Sequence, residues 1–422
     1  MQLNRRHVAL IALLTAAFAV RIAFCAYRGT LGESPPDHYR EYVTSASRLL
    51  AHGTLVSPMI LDEQNLAPSS LMPPAYVALV AIVYKVFGIE TTAATLVLQA
   101  NNALATTLAV LMVFLIARRL GGERAGWVAA LIAAANPLLY GYTDVIWDTS
   151  LLTLAVGVTV WFVLYLSERP VGWRVFFFFG LWLGALAMLN PALSIAYPVI
   201  VLWPMIRLKS WTYRRLTVGV AAAVLGWAMA ITPWTVRNYG HSSQLLYIRS
   251  GFMLELWLGV CPEADTDGAA VYPNQFPLNN DEVQKHITEI GETAFIAECG
   301  ERAKDAIAKD PLRFLWLRAI RAADYWTGSA FSHARPGDGG IPRSTQRVFV
   351  MIFLSLELLV AAGLMLLRRP LGSDVVCLLA IVVLCSLIYH LTHMQIRYRA
   401  PIEPLVAVIL GVLACRPAAP AR

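Results

Sequence analysis

The chain has 422 residues, of which 58% are hydrophobic and only 14% charged, and its formal net charge is +7. Soluble globular domains carry roughly a quarter charged residues, so the composition excludes an ordinary soluble fold. The basic excess reads as loop bias rather than nucleic-acid affinity, because no basic stripe is interleaved with aromatics.

In chain order, Asn4-Arg5-Arg6 precedes an apolar run that ends near Tyr27. The run has the outline of a signal peptide, but Arg21 interrupts it and no small-x-small cleavage site follows, so it is read as an uncleaved first span. Six basic clusters then set the topology: Arg5-Arg6, Arg118-Arg119 with Arg124, Arg169 with Arg174, Arg207 to Arg215, Arg368-Arg369, and Arg416 with Arg422. With all six on the cytoplasmic side, the intervening apolar segments cross in pairs. Ten spans result, near 7–27, 94–117, 125–142, 149–166, 175–190, 193–207, 214–233, 346–367, 374–391 and 401–415. The predicted fold is an all-α polytopic membrane protein with both ends inside.

Residues 28–93 form a large first outer loop carrying two membrane-lying helices. In the first, Tyr39, Tyr42, Val43, Ala46, Leu49 and Leu50 make one apolar stripe at helical spacing. The second, "PPAYVALVAIVYKVFG" at 73–88, is too short to span and carries Lys85, so it is placed in the interface. Residues 1–233 thus make a transmembrane catalytic module, 234–345 an outer segment folded on it, and 346–422 the C-terminal spans. Of six cysteines, only Cys261 and Cys299 share the outer segment, where a disulfide is permitted but not fixed by spacing.

Charged groups gather at the outer span ends. Asp37 follows Pro35-Pro36; Asp144 and Asp148 lie in "YGYTDVIWDTS"; Arg237 and Asn238 in "TPWTVRNYGH"; Arg397 and Arg399 in "HMQIRYRAPIEP". The arginines run against the charge rule, and charges near a membrane that the rule leaves unexplained are functional candidates. A guanidinium fork suits phosphate oxygens. Nearby carboxylates orient or deprotonate a hydroxyl, or hold a divalent cation against a phosphate. Structural roles stand beside these: Asp37 and Asp148 as helix caps, Asp144 as a turn residue, Arg397 and Arg399 as snorkelling side chains. Arg21 pairs with a carboxylate or reaches the interface, and His241, His390 and His393 lack metal-ligand spacing.

Taken together, "PPDHYREYVTSASRLLAHG", "MPPAYVALVAIVYKVFG", "ARRLGGERAGWVAALIAAANPLLYGY", "DTSLLTL", "TPWTVRNYG", "GFMLELWLG" and "RYRAPIEP" resemble bacterial GT-C membrane glycosyltransferases. The nearest group is the dolichyl-phosphate-mannose–protein mannosyltransferase-like one, similar to the lipid A aminoarabinose transferase. The resemblance implies an inverting transferase that moves a sugar from a polyprenyl-phosphate donor to a glycan, lipid or protein acceptor. The reaction would sit on the outer face of the cytoplasmic (inner) membrane. Asp37 matches the first-loop acid and Asp148 the second; Arg237, Arg397, Arg399 and Lys85 are the donor-phosphate candidates. Tyr39, Asn238 and Glu255 are the substrate-contacting candidates, and a divalent cation is the one cofactor considered. Two departures stand out: "ELWLGV" replaces the family's Asn-Leu-Trp-x-Gly-Asn, putting Glu255 and Val260 at its asparagines, and Asp37-His38 replaces Asp-Glu. A lipid-linked-saccharide transporter or flippase is the competing reading. It predicts internal repeats and helices broken at the midplane, neither of which the sequence displays. A non-catalytic scaffold is a third.

Overall fold

The structure is a computed structural model; it describes residues 5–33, 40–168, 171–208, 212–264, 271–328, 343–368 and 370–415. Asp37 and Tyr39 lie outside the described residues. Helix α1 spans Arg5–Tyr27, α2 Glu41–His52 and α3 Pro74–Phe87. Helix α2 stops at Gly53, whose left-handed φ of 69° lets its N–H reach back to the Leu49 carbonyl. Helix α4, Thr92–Ala135, is broken in two at Gly122, which stands at φ 85° and ψ 179°, a conformation reserved for glycine. Then follow α5 (Pro137–Gly141), α6 (Thr149–Leu166), α7 (Trp173–Leu189), a 3₁₀ turn Pro191–Ala196 leading into α8 (Tyr197–Leu208), and α9 (Tyr213–Ser242).

The second loop region holds α10 (Phe252–Leu258), α11 (Val271–Gln275), α12 (Asp281–Ile290), α13 (Glu292–Lys309) and α14 (Pro311–Thr327). Helices α15 (Arg343–Leu367) and α16 (Ser373–Leu391) and a 3₁₀ turn Ile396–Ile402 running into α17 (Glu403–Cys415) complete the chain. Among the described residues seven helices are long and apolar enough to cross a membrane. The break in α4 divides one of them, and three shorter apolar helices, Pro74–Phe87, Trp173–Leu189 and Pro191–Pro204, accompany them.

Ion pairs sort the helix ends into two sets. At one end Arg6 meets Glu123 at 2.6 Å, Arg119 meets Glu168, and Arg207 meets Asp374 at 3.0 Å. These join the start of α1, the break in α4, the end of α6, the end of α8 and the start of α16. At the opposite end Arg28 meets Asp144 at 3.0 Å, Asn190 donates to Asp148 at 2.9 Å, and Arg321 donates to the Thr392 carbonyl at 2.9 Å. Arg6, Arg119 and Arg207 therefore share one end and the loop helices the other.

Close packing between spans follows small residues, as it does where apolar side chains gain nothing by leaving lipid. A Cβ on Gly226 of α9 would stand 2.1 Å from the Phe177 carbonyl oxygen of α7, and one on Gly180 would stand 2.0 Å from that of Ala223. Helix α3 buries Tyr76, Val77, Val80 and Tyr84 against its neighbours and exposes Ile82, Val86 and Phe87, with Lys85 also exposed. Cys261 and Cys299 are buried free thiols.

Candidate active site

A cavity of about 330 Å³ lies at the loop end, walled by α2, the start of α6, the turn after α7, residues 247–258, α11 and residues 388–401. Its charged lining is Glu41, Asp148, Arg249, Glu255 and Arg397; Tyr42, Trp147, Tyr272, Tyr389 and Tyr398 supply aromatic walls. Asp148 immediately precedes α6 yet makes no side-chain cap bond. Its carboxylate accepts instead from Asn190 Nδ2 at 2.9 Å, and both residues line the cavity. Burial pushes this carboxyl up to about 6, against the opposing pull of Asn190 and then of Arg397 and Arg249.

Glu41 is the first residue of α2, and its Oε2 is buried without a hydrogen-bond partner. Burial lifts it to about 7, although Arg397 and Arg249 favour its charge. Glu255 behaves oppositely. Burial disfavours its charge, but His393, then Arg249 and Arg397, outweigh that and hold it at about 2. One oxygen lies 2.6 Å from His393 Nδ1 and the other accepts from Arg249 at 3.2 Å. Arg397 lays its guanidinium 4.0 Å from the centre of the Trp147 ring, a cation–π contact that fixes its plane. Carboxyls poised near neutrality thus share one cavity with two guanidiniums.

Of the residues singled out from the sequence, the structure brings together Asp148, Glu255 and Arg397. It places the other described ones elsewhere. Arg237 donates to the Ser69 carbonyl at 2.5 Å and the Leu55 carbonyl at 3.0 Å and stacks on Trp234, so its donors are committed to the first loop. Asn238 is buried and holds the Ile248 carbonyl at 2.9 Å. Arg399 is enclosed by Glu357, at 3.0 Å, and Glu403, and also donates to the Tyr325 carbonyl at 3.2 Å. Lys85 does not line the cavity. Asp144 ties α1 to the turn before α6 through Arg28 and the Thr30 hydroxyl, at 2.8 Å.

Glu41 and Arg249 line the cavity and His393 stands behind Glu255, and sequence reasoning assigned none of the three to the site. Glu41 and Arg249 follow no motif spacing, and His393 had the weak signal of a histidine beside "MQIRYR". Among the described residues no three His, Cys, Asp or Glu side chains group as a metal site.

The architecture, a nearly all-helical membrane bundle with a charged cavity among the loops of one end, has the GT-C fold. Residues 72–235, from α3 into α9, match the family described as dolichyl-phosphate-mannose-protein mannosyltransferase. The Archaeoglobus fulgidus oligosaccharyltransferase in complex with Zn and sulfate superposes with a TM-score of 0.54 at 15% identity, over 95% of this chain and 48% of that one. The chain therefore spans about half the length of that structure. A second structure of the Archaeoglobus fulgidus enzyme, with an inhibitory peptide and a dolichol-phosphate, gives 0.51 at 15% identity, covering 95% of this chain and 50% of that one. ArnT from Cupriavidus metallidurans bound to undecaprenyl phosphate gives 0.43 at 15% identity, covering 96% and 77%. Comparison with curated protein sequences found no match.

Proposed function

We propose that the protein is an inverting membrane glycosyltransferase that takes a sugar from a polyprenyl-phosphate donor and passes it to an acceptor hydroxyl. The reaction takes place on the outer face of the cytoplasmic membrane. One observation carries this reading: Asp148, a buried carboxyl held at about 6, shares a cavity with Arg249 and Arg397. In the reaction the acceptor oxygen forms a bond to the anomeric carbon as the bond from that carbon to the phosphate oxygen breaks. The acceptor's proton passes to a carboxylate, and the departing electron pair stays on the phosphate. A base works best when its pKa lies near the working pH, which Asp148 satisfies. The family resemblance adds Asp37 as a second acid of the same reaction. The leaving phosphate needs charge stabilisation more than a proton, and preorganised guanidiniums supply it where negative charge grows.

The test is sugar transfer by the protein reconstituted in lipid, with a polyprenyl-phosphate sugar and candidate acceptors, read by mass spectrometry of both lipid and product. Asp37→Asn and Asp148→Asn should each abolish transfer while donor binding persists. Arg249→Ala and Arg397→Ala should each cost about 10²–10³ in turnover, as the loss of one preorganised donor does. Full activity in both asparagine variants would remove the acid–base reading.

A further inference from the structure

Arg249 does not stand alone in the cavity wall. Its Nη2 donates to Glu255 Oε1 at 3.2 Å, and Glu255 Oε2 lies 2.6 Å from His393 Nδ1. On the far side of the ring, His393 Nε2 is 2.8 Å from the Tyr272 hydroxyl, which accepts from Gln395 Nε2 at 2.6 Å. The Nδ1 edge of His393 faces the Glu255 carboxylate at contact distance, without hydrogen-bond alignment, and an N–H there avoids setting a lone pair against a carboxylate oxygen. With Tyr272 already accepting from Gln395, the tyrosine proton is free for Nε2. The chain Gln395–Tyr272–His393–Glu255–Arg249 then runs through four close contacts, of which the His393–Glu255 one is a charge contact at 2.6 Å without hydrogen-bond alignment.

The backbone around it is also pinned. Arg321 donates to the carbonyls of Gly259 and Thr392, at 2.7 and 2.9 Å. A Cβ on Gly259 would stand 2.7 Å from the Thr392 oxygen, so the end of α10 and the segment carrying His393 are pressed together. On the other flank Gly251 leaves room for the guanidinium, since a Cβ there would meet Arg249 Nη2 at 2.6 Å and Leu71 at 3.1 Å.

We infer that Glu255 and His393 are positioning residues that hold the Arg249 guanidinium at the angle from which it meets the donor phosphate. This rests on the transferase reading above. Neither residue need touch substrate. Glu255 also shares the positive charge of Arg249, so its carboxylate competes with the phosphate for the same N–H groups. Losing it should disturb orientation without weakening attraction for the anion. Glu255→Gln keeps an acceptor for Arg249 but sets an amide N–H₂ against His393 Nδ1–H, breaking the chain at its centre.

The experiment is a double-mutant cycle in lipid nanodiscs, which isolates action through a partner from action beside it. A short polyprenyl phosphate is the binding probe, and single-turnover transfer measures chemistry. Glu255→Gln should lower the transfer rate on the order of 10–100-fold, the scale of a misplaced reacting group, while probe affinity stays level or rises. In the Arg249→Ala background the same substitution should cost less than about twofold, because its target is gone. Gly251→Ala, which alters no charge but crowds the guanidinium, should reproduce the rate loss and serves if Glu255→Gln does not fold. Losses that multiply across the cycle, or a rise in acceptor KM at unchanged rate, would overturn the positioning role and place Glu255 on the substrate. If the wild-type protein fails to bind the probe at all, the transferase reading falls first and the inference with it.

Discussion

Asp148 and Glu41 differ from ordinary carboxyls because they are buried among partners too few to restore full solvation. Both are raised, to about 6 and about 7. The folded protein therefore holds protons that the unfolded chain has already lost. The stability these groups contribute is complete below their ordinary values and disappears as pH rises through about 6 and 7. A base must be ionised, so turnover moves the other way across the same window. The expected rate profile falls about tenfold per unit below pH 6, and Glu41→Gln should leave that limb in place while flattening the stability decline in thermal melts. A limb absent from wild type would remove Asp148 as the base. Arg237 gives the opposite lesson. Its donors are engaged by the Ser69 and Leu55 carbonyls, and hydrogen bonds to a charged group are worth roughly 1.5–3 kcal/mol. Arg237→Ala should open residues 54–70 to protease and lower melting temperature and turnover together. Intact stability with a loss confined to turnover would return Arg237 to the donor phosphate.

At the scale of elements, the spans were legible because each needs about twenty apolar residues and the basic clusters fall between pairs of them. The apolar segments read this way fall on helices, and "RRLGG" marks the break inside α4. What a span end does with its arginine was not legible, because the deciding partners are backbone carbonyls or acids on distant helices. "RYR" shows the limit: Arg397 lies on Trp147 in the cavity wall, while Arg399, two residues on, is enclosed by Glu357 and Glu403. Glu403 accepts in turn from Asn136 at 2.5 Å, so this cluster joins α15, α17 and the start of α5. Removing one member of a buried ion pair leaves the other charge uncompensated and costs about 3–5 kcal/mol. Arg399→Met should therefore lower the melting temperature of the purified protein sharply, and Glu357→Gln in the same chain should recover part of it. A variant as stable as wild type would free Arg399 for a role at the site.

For the whole molecule, the cavity depends on the two-ended arrangement of its helices. Its walls come from α2, the turns after α5 and α7, the loop after α9, and the segment after α16, all at the end opposite Arg6 and Arg207. No single segment builds it, and residues as far apart as Glu41 and Arg397 meet only because every crossing between them is in register. One helix turned over would move the Arg118-Arg119 pair to the loop end and take Asp148 or Asn190 away from the other wall. Under the proposed function the charge rule would put the basic end in the cytoplasm and the cavity on the outer face. Single cysteines test this directly. Arg124 lies just past the break in α4 and Lys304 on the exposed flank of α13. In intact cells a membrane-impermeant maleimide should label Lys304→Cys and leave Arg124→Cys unreacted until the membrane is permeabilised. Native thiols stay quiet in this assay because Cys25, Cys261, Cys299, Cys377 and Cys385 are buried, and replacing Cys415 removes the sixth. The reverse labelling would turn the cavity toward the cytoplasm, and with it the side from which donor and acceptor must arrive.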